Sequence, residues 1–169
     1  VEHHRSHLAS AFFASPFEEA ACLSIDGSGD FTTTMTGVGR ANNIEVLQSV
    51  DFPHSLGIFY TAFTQLLGFP HYGDEYKVMG MAPYGKPQYT EKLHNVLKLT
   101  NDGLFKLNLD YFRKGTAGII SYDANHMPVV ASLYSQKMVD TFGPVRKKEE
   151  ELTQYHKDMA ALACLAQVI

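Results

Sequence analysis

Positive charge is scarce in this sequence and is not gathered anywhere. Lys and Arg number 14 against 18 Asp and Glu, for a formal net charge of −4. The one basic run, Arg146-Lys147-Lys148, is answered at once by Glu149-Glu150-Glu151 and reads as a solvated helix start. Nucleic-acid binders that work through a basic stripe are therefore not expected. Cysteine is also rare. Cys22 and Cys164 stand far apart with no CxxC spacing, which excludes a disulfide framework and a zinc ribbon. Both sit in apolar runs and read as reduced core residues of a cytoplasmic protein. No stretch reaches the ~18 apolar residues of a membrane span, so no membrane partner is expected. Internal repeats and low-complexity tracts are missing as well.

What is present is enough apolar material for a core. At 169 residues and 45% hydrophobic, the chain can fill one full core or two small ones. His3 to Ala14 has Leu8, Ala11 and Phe12 at helical spacing. Three strand-like runs follow: Ala20 to Ile25, Phe31 to Gly37 and Asn43 to Val50. The period then changes, because Leu56, Phe59, Tyr60, Phe63, Leu66 and Leu67 recur at three and four, the mark of an amphipathic helix. Ser55 stands at its N-cap position and Gly68 at its C′ position. Asp74 to Gly85 reads as a loop into a short helix broken by Pro83, Tyr89 to Leu99 as a helix, and Gly103 to Leu109 as a strand. Residues 110–145 show little periodicity. Glu149 to Ile169 reads as a long helix. The chain opens on Val1 and closes inside an apolar helical run, and it is expected to be a piece of a longer protein.

The strongest chemical signal is His3-His4-Arg5-Ser6-His7. On a helix, His3 and His7 lie one turn apart on one face, close enough to share an ion, and imidazole is a frequent metal ligand. The spacing predicts a metal or phosphate site; the alternative is that these imidazoles cap or bond their neighbours. A zinc protease is excluded, because His4 stands where its Glu must follow the first His. Asp26-Gly27-Ser28-Gly29-Asp30, between two strands, is either a phosphate-cradling loop with an acidic ligand or a plain Asp-Gly turn. It is not a Walker loop, since no Gly-Lys-Ser/Thr follows. Asp74-Glu75-Tyr76-Lys77 reads as a solvated loop with some functional potential. His54 is either a helix-entry residue or a ligand contact. The Phe59, Tyr60 and Phe63 stripe reads as core.

Taken in order, five segments resemble the O-carbamoyltransferases, a family of nodulation-factor and antibiotic-modifying enzymes. They are Val1 to Phe12, Ser15-Pro16-Phe17, Asp26 to Asp30, Pro53 to Tyr60, and Asp74 to Gly85. The resemblance is concentrated in residues 1–87, with 88–169 matching loosely. It implies an α/β chain, the truncated first lobe of an actin-like ATPase fold of the sugar kinase and Hsp70 superfamily, with a mixed sheet flanked by helices. It also implies, in the same polypeptide, a second lobe and a domain that makes carbamoyl-adenylate from ATP and carbamoyl phosphate. The carbamoyl group then passes to a hydroxyl of a sugar or natural product. Carried over by position, His3 and His7 become ligands of a divalent ion, iron or zinc, with Asp26 as a third. Gly27, Ser28 and Gly29 would face the adenylate phosphate, and Glu75 and Lys77 belong to the segment lining the nucleotide cleft. Asp30 and His54 are the candidates for the base that takes the acceptor's proton. Two other readings remain open here: a tRNA threonylcarbamoyl transferase, which shares the two-histidine motif, and a nucleotide- or metal-binding module with no turnover of its own.

Overall fold

The computed structural model describes residues 2–113 and 119–166. They form a mixed α/β chain of small antiparallel sheets and helices that divides into two compact units. Among the described residues, no helix is long and apolar enough to cross a membrane.

The first unit runs to Gly57 and takes in Thr100–Phe105. It opens with helix α1 (His3–Phe13) and continues as strands β1 (Glu19–Gly29), β2 (Thr32–Arg40) and β3 (Asn43–Asp51), paired in the order β1-β2-β3. A mixed sheet was expected; both pairings here are antiparallel, because each strand returns on its neighbour through a tight turn. The strands are also longer than their sequence signals, and the acidic glycine run is the reason. β1 does not stop at Asp26. It continues through Gly29, and the reversal is left to Asp30 and Phe31, with Asp30 at φ 56°. The register jumps from Ile25 opposite Thr34 to Gly29 opposite Thr32, so Asp26, Gly27 and Ser28 form a bulge facing the single residue Thr33.

Helix α1 lies on this sheet through His4, Leu8 and Phe12, its only buried residues. The sheet meets it with glycine. A Cβ at Gly39 would fall 2.6 Å from the Phe12 ring, and one at Gly37 would lie 3.5 Å from Leu8 Cδ1. At the far end of β1, Ser55 Oγ donates to the Gly27 carbonyl at 2.6 Å. A Cβ on Gly57 would stand 2.6 Å from Gly27 Cα, so a glycine is needed for this close approach to the bulge.

The second unit comprises Ile58–Leu99 and Lys106–Ile169. Helix α2 (Leu56–Leu66) supplies its centre with Phe59, Ala62 and Phe63, all at 0% exposure. The Phe63 ring lies 4.7 Å from that of Phe59 and 5.1 Å from that of Phe142. Gly68, at φ 82°, ends the helix as expected: Phe69 N–H reaches Thr64 O and Gly68 N–H reaches Gln65 O, the paired bonds of a Schellman stop. Next come α3 (Glu75–Met81), a 3-10 turn at Ala82–Tyr84 where Pro83 stands, and α4 (Thr90–Val96). The helix expected over Tyr89 to Leu99 gives way at Leu97, where the backbone turns extended as β4 (Leu97–Leu99) to pair with β5 (Phe105–Leu107). β6 (Ile119–Tyr122), β7 (Pro128–Val130) and α5 (Gln136–Phe142) fill the stretch without a clear period. They are held by long-range contacts such as the buried Gln65 amide, which donates to Ala131 O and accepts from Leu133 N–H.

The basic run is not a solvated helix start. Arg146 is buried, and its guanidinium donates to the carbonyls of Leu67, Lys147, Lys148 and Glu150, winding the chain into a loop. Helix α6 (Gln154–Leu165) therefore begins later than expected, and residues 167–169 of the expected span lie outside the described residues. At its start, His156 Nδ1 accepts the Thr153 N–H at 3.0 Å. Burial first, and then the Arg146 charge, hold this imidazole below its usual value against the opposing pull of Glu150. The sign follows: the neutral ring is the folded form, so its contribution is complete above about pH 6.5 and is lost as pH falls below that value. Thermal melts from pH 7.5 to 5.5 are expected to show wild type losing stability relative to His156→Gln, whose amide oxygen accepts the same bond without titrating. Parallel melting curves would refute this.

Candidate metal centre

α1 and the β1 bulge meet at three side chains. His3 and His7, one helical turn apart, turn their rings edge to face with centroids 4.6 Å apart. Their Nε2 atoms lie 3.0 Å from each other. Asp26 Oδ2 completes the triangle at 2.9 Å from His3 Nε2 and 3.4 Å from His7 Nε2. Two ligand atoms each ~2.1 Å from one ion, at octahedral to tetrahedral angles, are ~3.0–3.4 Å apart, so all three edges have the length that a shared divalent ion requires. Two imidazoles and one carboxylate on a single face also match the donor set of non-haem iron sites and of catalytic zinc sites. The three side chains remain 41%, 51% and 42% exposed, which leaves their outer side open to further ligands.

The bulge is what brings Asp26 here. Its partial burial raises the carboxyl pKa, but hydrogen bonds from His3, the Gly27 N–H and His7 outweigh that and lower it on balance. Asp26 is thus an anion wherever neutral imidazoles are available beside it. The glycines serve the same three side chains. Gly27 N–H is bonded to Asp26 Oδ1 at 2.6 Å, and a Cβ on Gly29 would fall 2.0 Å from His3 Cδ2. Asp30 Oδ2 accepts the His3 N–H at 3.0 Å, satisfying one of the donors left open in the first turn of α1. The third histidine, His4, points the other way: it is 1% exposed, with Nδ1 2.8 Å from Ser24 Oγ and Nε2 2.8 Å from the Thr32 carbonyl oxygen.

The remaining residues singled out in the sequence are not gathered at this triangle by any described contact. His54 holds the chain through its backbone, donating to Asp51 O and accepting from Thr33 Oγ1. Glu75 and Lys77 belong to the second unit. There Glu75 Oε1 accepts from Thr61 Oγ1 at 2.7 Å, and Lys77 Nζ pairs with the buried Asp74 at 2.5 Å. Lys77 also lines a cavity of about 480 Å³ with His71, Arg146 and Lys148. The sequence reading missed Ser24, Thr32 and Gly57, whose parts depend on partners far along the chain. A spacing of two between Ser24 and Asp26 on one strand was the only local hint.

The family described as the carbamoyltransferase N-terminus matches residues 1–161. An uncharacterised protein of a Synechocystis species is 44% identical over 162 residues, which is 95% of this chain and 24% of that protein. Nodulation protein NolNO of Sinorhizobium fredii is 34% identical over 162 residues, again 95% of this chain and 20% of that protein. Nodulation protein NolO of Bradyrhizobium diazoefficiens is 35% identical over 162 residues, 95% of this chain and 25% of that protein. The chain therefore spans a quarter or less of the length of these relatives.

Proposed function

The chain belongs to the carbamoyltransferase N-terminal family, and from that premise we propose that it carries the metal-binding part of an enzyme that transfers a carbamoyl group to a hydroxyl of a sugar or natural product. The observation that carries this reading is the triangle of His3, His7 and Asp26, whose edges of 2.9, 3.0 and 3.4 Å suit one divalent ion of the iron or zinc type. Such an ion supplies a Lewis acid for the carbamoyl or phosphate oxygen of the donor.

The reaction we assign begins with carbamoyl phosphate and ATP. Water first cleaves carbamoyl phosphate to carbamate and phosphate; a carbamate oxygen then attacks the α-phosphorus of ATP, the bond to pyrophosphate breaks, and carbamoyl-adenylate is left. The acceptor hydroxyl then attacks the carbamoyl carbon, the anhydride bond to AMP breaks, and the hydroxyl proton leaves to a base. The chain's own residues contribute positioning: His3 and His7 project from one face of a rigid helix, and Asp26 meets them as an anion. Glu75 and Lys77, on α3, belong in this reading to the nucleotide-binding wall. Asp30 is less apt as the base than its sequence position implies, since its carboxylate already accepts the His3 N–H. The meander β1-β2-β3 followed by α2 supports the start of an actin-like lobe.

The full-length protein, given labelled carbamoyl phosphate, ATP and a panel of hydroxylated acceptors, is expected to release pyrophosphate and to put the label into a carbamate ester. Label appearing in tRNA, or no adenylate at all from metal-loaded protein, would overturn the assignment.

A further inference from the structure

The structure assigns to His4 the role of a positioning residue that sets the rotation of α1, and through it the meeting of His3 and His7 with Asp26. The inference rests on the metal reading above. Its starting point is how few directional bonds tie the helix to the sheet besides those of His3 and His7 themselves. Leu8 and Phe12 are the other two buried residues of α1, and they sit over Gly37 and Gly39. Apolar contact on a glycine track sets a distance. It resists rotation or sliding weakly, because such contacts carry no direction.

His4 carries direction twice. The Thr32 carbonyl has only lone pairs, so the His4 Nε2 that lies 2.8 Å from it holds the proton and donates. Nδ1 is bonded to Ser24 Oγ at 2.8 Å. One ring at 1% exposure is thereby tied to both β1 and β2. The ties fall on either side of the bulge: Ser24 precedes Asp26 by two residues, and Thr32 faces Gly29, the residue beneath the His3 ring. The Asp30 bond to the His3 N–H holds the end of the helix, but it acts close to the axis and governs rotation poorly.

The lever arm decides the magnitude. An imidazole nitrogen stands about 6 Å from a helix axis, so a 10° turn moves it about 1 Å. A metal–ligand distance tolerates about 0.2 Å. Losing the peg therefore misplaces both imidazoles without removing a ligand.

The test uses Co²⁺ as the probe, titrated into the full-length protein and followed by its visible absorption bands. His4→Phe keeps the ring volume and removes both bonds; Ser24→Ala removes one bond and leaves the helix packing intact. Wild type is expected to bind Co²⁺. His4→Phe is expected to bind about 10–100-fold more weakly, the usual cost of losing an outer partner of a ligand, with shifted bands. Ser24→Ala should move the same way by a smaller factor, and His4→Gln, whose amide N–H reaches Thr32 O, should restore part of the affinity. If wild type binds and His4→Phe or, should that variant not fold, Ser24→Ala keeps the wild-type affinity and spectrum, the positioning role is refuted and the metal site stands. A wild type that binds no Co²⁺ refutes the metal reading and the positioning role with it.

Discussion

His3→Ala and His7→Ala are each expected to strip the full-length protein of its divalent metal and to lower carbamoyl transfer by ~10³-fold or more. The reason is the small number of ligands. Among the described residues, His3, His7 and Asp26 are the one group whose donor atoms converge within 4.8 Å, so removing one imidazole removes a third of the set. Disturbing an outer partner of a ligand already costs ~10–100-fold in affinity, and deleting the ligand itself costs more. Several kcal/mol of charge stabilisation at the donor oxygen then disappear, at ~1.4 kcal/mol per decade of rate. Metal content measured on purified wild type and variants, beside the rate of ester formation, checks both halves. Arg5→Ala is the control from the same helix, since among the described residues Arg5 pairs only with the exposed Glu2. Equal metal in wild type and both histidine variants would remove the ligand assignment. Equal metal loss in Arg5→Ala would point to unfolding of α1.

All three corners of the triangle are named from the sequence, the two histidines by their spacing and Asp26 only through the family resemblance. A four-residue spacing puts two side chains on one helix face whatever the helix packs on, so His3 and His7 follow from local geometry. Gly68 is legible for the same reason, because a left-handed C′ residue is a local requirement. What escaped depends on contacts made across the sheet. An Asp-Gly-Ser-Gly-Asp run looks like a turn, and only pairing with β2 shows it as a bulge with the turn pushed to Asp30 and Phe31. Spacing alone gives His4 no role; its meaning comes from Ser24 and Thr32, 20 and 28 residues away. Arg146, read from its charged neighbours, belonged with solvent. It is buried because backbone carbonyls from Leu67 and from its own loop satisfy it. The stretch 110–145 has weak periodicity because its strands are three or four residues long, too short to show a period.

Gly29→Ala is expected to abolish metal binding as completely as His3→Ala, although it removes no ligand and adds one methyl group. The added carbon would stand 2.0 Å from Cδ2, 2.1 Å from Cγ and 2.7 Å from Cβ of His3. The Cβ contact is the decisive one. A ring tip swings away by rotating about its own bonds, but Cβ is fixed to the helix backbone, so either α1 lifts or β1 bends. Lifting α1 breaks the His3 N–H bond to Asp30 and the His4 bond to Thr32. Bending β1 at Gly29 moves the end of the bulge that carries Asp26. Both routes separate the carboxylate from the imidazoles. Forcing a methyl into such a contact also costs about 1–3 kcal/mol of stability, so the variant should melt earlier while keeping its circular dichroism. Ser28→Ala, one position earlier in the bulge, changes a side chain without adding volume and serves as the comparison. Metal retained by Gly29→Ala at the wild-type level would mean that the helix does not lie this close to the strand, and the triangle would lose its geometric support.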